Sequence, residues 1–96
     1  MFRFKSVINR FLRQENMEQV MPGVPVTELA GDRRLLIENH FGVLEYGCER
    51  IGVRVAFGGV YILGKELSLL IMNSNRIVID GQIESILLKR SESFHA

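Results

Sequence analysis

Ile51-Gly52-Val53-Arg54-Val55-Ala56-Phe57-Gly58-Gly59-Val60-Tyr61-Ile62-Leu63-Gly64 decides the fold class. Ile51, Val53, Val55 and Phe57 alternate with small or charged residues, so an extended chain would present one apolar and one wet face. Gly58-Gly59 then allows a tight reversal into a second apolar run, Val60 to Leu63. The same period of two extends in both directions from this stretch. It predicts about eight short strands: Val26 to Ala30, Arg34 to Glu38, Val43 to Tyr46, Ile51 to Phe57, Val60 to Leu63, Leu67 to Met72, Arg76 to Ile79 and Gln82 to Lys89. Between them lie Gly31-Asp32, Asn39 to Gly42, Gly58-Gly59, Gly64-Lys65, Asn73 to Asn75 and Asp80-Gly81, all read as reversals. Connections this short favour antiparallel neighbours, because a parallel crossover needs a dozen or more residues.

Gly47, Gly64 and Gly81 lie seventeen residues apart, each after an apolar-rich tract. A repeated pair of strands would build a stacked meander, a flattened barrel or a short β-solenoid, in which each unit covers its neighbour. Chance spacing in a glycine-punctuated meander explains the pattern equally well.

Ahead of the strands the period changes. At about 100° per residue, Met1, Phe4, Val7, Ile8, Phe11 and Leu12 share one side of residues 1–15, and Arg3, Lys5, Arg10 and Arg13 fall on the other. The spacing predicts an amphipathic helix with a basic outer face. Pro22, Gly23 and Pro25 forbid its continuation, so residues 16–25 read as a linker. The expected organisation is helix 1–15, linker 16–25, an all-β domain at 26–89 and a polar tail at 90–96.

The 96 residues carry twelve Lys+Arg against eleven Asp+Glu, and this balance offers no global attraction for nucleic acid or acidic lipid. A single cysteine, Cys48, closes no internal disulfide, and no Cys/His spacing suits a metal. No apolar run approaches the roughly 20 residues that span a bilayer, and the N-terminus lacks the apolar centre of a signal peptide. These features predict a cytoplasmic protein without cofactor or metal.

The densest chemistry is Glu38-Asn39-His40, with Gly42, Glu45 and Tyr46 following. A carboxylate beside an imidazole suits proton transfer. Yet adjacent strand residues face opposite ways, and Asn39-His40-Phe41-Gly42 has the composition of a turn, in which His40 would bond the backbone and lock a hairpin register. The serines lack a nucleophile-elbow context and Gly58-Gly59 opens no helix, so no catalytic residue is assigned. Two surfaces remain for binding. Arg3, Phe4, Lys5, Ile8, Arg10, Phe11, Leu12 and Arg13 could meet an anionic membrane or a partner, or the apolar stripe could cover the open side of the sheet. Arg33, Arg50, Arg54 and Arg76 could touch phosphates, but interspersed Glu38, Glu45, Glu49, Glu66 and Glu84 make this read as an ordinary solvated face.

Val26-Thr27-Glu28-Leu29-Ala30-Gly31, then Leu36-Ile37-Glu38-Asn39-His40-Phe41-Gly42-Val43-Leu44-Glu45-Tyr46, resembles the YabP/YqfC family of sporulation proteins. The likeness continues through Ile51, Val53, Gly59, Ile62, Gly64, Leu67, Leu69, Ile79, Asp80, Gly81, Ile83, Ser85 and Ile86, covering about residues 24–88. Pro22 and Pro25 favour the YqfC-like branch. Gly52 and Gly47-Cys48 depart from the more polar residues that the family pattern has there. The resemblance implies a role in endospore formation and no catalytic residue. Glu38, Asn39, His40, Gly42, Glu45 and Tyr46 carry over as signature positions with a structural turn role. It also implies a protein partner, first among them a YqfD-like sporulation membrane protein, and peripheral contact with the forespore or mother-cell membrane. No nucleic-acid partner is expected, and homo-oligomerisation is left open. The runner-up reading is a small β-barrel that binds nucleic acid or a small ligand.

Overall fold

The computed structural model describes residues 23–91. Six strands form: β1 (Val26–Ala30), β2 (Arg34–Glu38), β3 (Val43–Tyr46), β4 (Arg50–Val55), β5 (Gly58–Met72) and β6 (Arg76–Arg90). They make one open antiparallel sheet in the order β1-β2-β6-β5-β4-β3. The all-β, antiparallel expectation holds, and the first three strands have the expected bounds. An antiparallel ladder between every pair of neighbours is not a solenoid. It is not a simple meander either, because β2 lies beside β6.

The expected eight strands are six. Gly64-Lys65 and Asp80-Gly81 do not reverse the chain but bend it. Val60–Leu63 and Leu67–Met72 are two halves of β5, and Arg76–Ile79 and Gln82–Lys89 are two halves of β6. The two long strands stay paired through the bend by absorbing register shifts at Leu63/Gly64 and Lys65/Ser68, and a further shift falls at Leu69/Ile71. Such bulges add local twist and curvature. Positive φ angles at Glu66 (55°) and Gly81 (143°) mark the corner. The β4–β5 reversal sits earlier than expected, since Gly58 already pairs with Val55 and the turn residues are Ala56 and Phe57.

The bulges free backbone groups, and neighbouring turns take them up. At the corner the amides of Gly64 and Leu67 donate to the carbonyls of Glu49 and Cys48, while Gly81 and Ile83 donate to Arg33 and Asp32. The 17-residue glycine spacing therefore marks passages of the chain through one corner and not stacked coils: Gly64 and Gly81 sit where one backbone closely approaches another, and Gly47 opens the β3–β4 turn whose carbonyls accept there.

Bending folds one face of the sheet onto itself. Leu35 and Ile37 of β2, Ile51, Val53 and Val55 of β4, Val60, Ile62 and Leu67 of β5, and Ile77, Ile79 and Ile83 of β6 form one buried cluster. β2 and β4 are separated by two strands in the sheet, so only the bend brings their side chains together. Burying each such side chain contributes roughly 1.5–3 kcal/mol. On the opposite face of β2 and β6, Leu36 and Val78 form a second buried pair with Val26 against it. Two cross-strand ion pairs flank it, Arg34–Asp80 at 3.1 Å and Arg76–Glu38 at 2.9 Å. The expected N-terminal helix, and all but the last residues of the linker, lie outside the described residues, as does most of the polar tail. β6 itself reaches Arg90.

Candidate functional site

β2 ends at Glu38, and residues 39–42 then carry the chain from the β6 side of the sheet to β3. Four residues suffice because the bend has brought β4 close. The Asn39 amide donates to the Asn75 carbonyl, the Phe41 amide donates to the Arg54 carbonyl, and the Arg54 amide donates to the Gly42 carbonyl, each at 2.8 Å. Asn39 turns the chain with φ 64°, which Asn tolerates better than most residues, and Gly42 does so with φ 118°. Residues 39–42 are thus a crossover between strands that do not pair with each other, not the turn of a hairpin.

Each side chain of Glu38-Asn39-His40 is engaged within the fold. Glu38 pairs with Arg76, its register partner on β6. The Asn39 side-chain amide donates to the Val24 carbonyl at 2.7 Å, anchoring the chain that enters β1. His40, only 6% exposed, bonds the Asn73 carbonyl through Nε2 at 2.8 Å and accepts the Gly42 amide at Nδ1, 2.9 Å away. A carbonyl can only accept and an amide N–H can only donate, so the hydrogen-bond partners assign the proton to Nε2 and leave the Nδ1 lone pair occupied. Asn73 completes the unit: its Oδ1 accepts the amides of Asn75 and Arg76, and its own amide donates to the Arg76 carbonyl. The tripeptide and the β5–β6 turn form a clasp that ties one end of the folded sheet.

Glu45 and Tyr46 are not part of it. They lie on β3 opposite Gly52 and Ile51, where Glu45 forms an exposed pair with Arg50 at 2.9 Å and Tyr46 is open to solvent. The four arginines considered as a phosphate face are also dispersed. Arg76 and Arg50 are paired with carboxylates, Arg33 sits in the β1–β2 turn, and Arg54 projects from β4 beside Gly59. Sequence reading took Asn73 to Asn75 as a plain reversal and missed them as clasp partners. The Asn-x-Asn-Arg order does signal an Asx turn, but nothing in it says what docks there.

Glu28 stands apart. It lies on β1 in register with Leu36, on the same face as Glu38, and its Oε1 is buried without a hydrogen-bond partner. Burial and then the nearby Glu38 charge raise its carboxyl pKa above the ordinary value. A raised carboxyl favours the folded state when protonated, so this group removes stability as pH climbs out of the carboxylate range and returns it on acidification. Glu28→Gln should raise the thermal midpoint at pH 7, and the gain should shrink towards pH 4. Equal gains at both values would show that charge is not the cause.

Among the described residues, no group of three His, Cys, Asp or Glu side chains could hold a metal ion, Cys48 is an exposed free thiol, and no helix is long and apolar enough to cross a membrane. A shallow hollow of about 540 Å³ lies against the clasp, lined by His40, Phe41, Gly42, Met72, Asn73 and Ser74. Phe41 is 65% exposed there, and Leu70, Ile71 and Met72 form a run of exposed apolar side chains at the end of β5.

No curated protein matches the chain. Residues 26–95, which include the whole of the sheet and its clasp, match the YabP family, and the chain belongs to that family.

Proposed function

We propose that the protein is a non-enzymatic factor of endospore formation that acts through protein contacts at the forming-spore membrane. Its place in the YabP family supports the process. The observation that supports a contact role is the pair of exposed apolar side chains Phe41 and Met72 lining one hollow against the clasp, because exposed apolar side chains that adjoin on a small domain mark interaction surfaces. The engagement of Glu38 with Arg76, of the Asn39 side-chain amide with Val24 and of both His40 ring nitrogens with backbone groups supports a non-catalytic reading, since the imidazole has no free lone pair to take a substrate proton. In this reading the chain is of the YqfC-like branch and cytoplasmic, and its partner is a YqfD-like sporulation membrane protein. The basic amphipathic segment 1–15 adds contact at the forespore or mother-cell membrane.

Co-expression with a YqfD-like protein tests this directly. The two should co-purify from detergent, and the pairing should fail when Phe41 and Met72 are both changed to Asp while the variant still melts cooperatively. Removing residues 1–15 should weaken flotation with vesicles without abolishing co-purification. A wild-type chain that never co-purifies, or a hydrolytic activity that depends on His40, would overturn the proposal.

A further inference from the structure

We propose that the outer face of β4, β5 and β6 holds a binding site for a phosphate group, walled by Arg54 and Lys89 and floored by Tyr61. The register creates it. Arg54 of β4, Gly59 of β5 and Lys89 of β6 lie side by side, so two cations about 10 Å apart at the backbone flank a position with no side chain. One position along, Gly52 and Tyr61 are partners, and the Tyr61 ring lies flat across both glycines. A Cβ at Gly52 would be 2.7 Å from the ring and one at Gly59 would be 2.8 Å from it. Either glycine replaced by a larger residue would lift the ring and fill the space above it. Lys89 stands over the ring at 5.8 Å from its centre, and Arg50, already paired with Glu45, stacks at 4.9 Å. The resulting cavity, about 280 Å³, is also lined by Leu44.

Charge identifies the ligand. Among the described residues, Arg54 and Lys89 have no carboxylate partner, and no acidic side chain lines the cavity. Two unmatched cations on either side of one hollow repel each other, and a ligand of about two negative charges relieves that repulsion. A phosphate monoester carries about −1.5 to −2 charge at pH 7 and three acceptor oxygens, whereas a carboxylate would leave one of the two cations uncompensated. Guanidinium forks grip phosphate oxygens bidentately, and the lysine adds a point charge. The Tyr61 hydroxyl, on the Gly59 side of the ring, provides a further donor. The volume fits a phosphate with a small attached group and falls below the usual range of cofactor pockets.

The test uses the full chain. Inorganic phosphate should bind measurably more tightly than acetate or chloride at matched ionic strength, as read by calorimetry. Arg54→Gln and Lys89→Gln should each weaken it by about tenfold, the loss expected for one charge-assisted hydrogen bond. Both side chains are exposed, so these variants should melt like the wild type. Tyr61→Phe should weaken phosphate binding less, and Arg33→Gln, in the β1–β2 turn, should leave it unchanged. Vesicles of phosphatidylcholine with phosphatidic acid distinguish the source of the phosphate. Flotation that is lost in the Arg54→Gln/Lys89→Gln double variant identifies a lipid headgroup. Phosphate binding without variant-sensitive flotation identifies a soluble phosphate ester. Affinity for phosphate equal to that for acetate, or unchanged in the double variant, would overturn the site.

Discussion

Gly64→Ala should cost about 3–5 kcal/mol, enough to leave much of a domain this small unfolded at room temperature. A methyl group at this position would land on the Gln82 carbonyl oxygen, 3.0 Å from the Gln82 carbonyl carbon and 3.2 Å from Ile83 Cα. All three are backbone atoms of the paired strand, so no rotamer change relieves the clash, and the two long strands must separate where they bend. The hydrogen bond that the Gly64 amide donates to the Glu49 carbonyl would go with them. Gly31→Ala is the control. Its φ of 60° is unfavourable for alanine, but nothing lies within 4 Å of the added carbon, so its cost should stay near 1–2 kcal/mol. Urea unfolding of the two variants measures the difference directly. Equal midpoints would mean that the strands do not cross as closely as described.

His40→Ala should rank next, at about 3 kcal/mol or more. The substitution removes a buried ring and leaves the Asn73 carbonyl and the Gly42 amide without partners, each costing roughly 1–3 kcal/mol when buried. His40→Gln keeps a donor for Asn73 but cannot reproduce the ring's second contact, and it should recover only part of the loss. Hydrogen exchange at the Gly42 amide should quicken in both variants ahead of global unfolding, since that amide loses its acceptor. A His40→Ala protein that is as stable as the wild type would remove the clasp from the account of the fold.

Much of the fold was legible along the chain. The two-residue rhythm from Val26 onward reports only that alternate side chains share a face, and this sufficed for the all-β class and for β1, β2 and β3 to the residue. It could not separate a reversal from a bend. Gly58-Gly59, Gly64-Lys65 and Asp80-Gly81 look alike as local signals, but the first opens a strand and the other two curve strands that continue. The difference lies in the hydrogen-bond partners, which for Gly64 and Gly81 are Glu49 and Arg33.

The same division holds for the functional residues. Asn39-His40-Phe41-Gly42 is recognisable as a change of direction from its residue types alone, since Asn and Gly accept positive φ. That His40 is held by Asn73 and Glu38 by Arg76 is not, because these partners are 33 and 38 residues away. Nor could one strand reveal the phosphate cleft, which needs Arg54, Gly59 and Lys89 from three strands in one register. The order of side chains therefore determined which surfaces would be apolar and where the chain could turn. Only the folded sheet decided which surfaces meet, because each backbone donor freed at a bulge or crossover must find an acceptor in space, and distance along the chain does not say where that acceptor is.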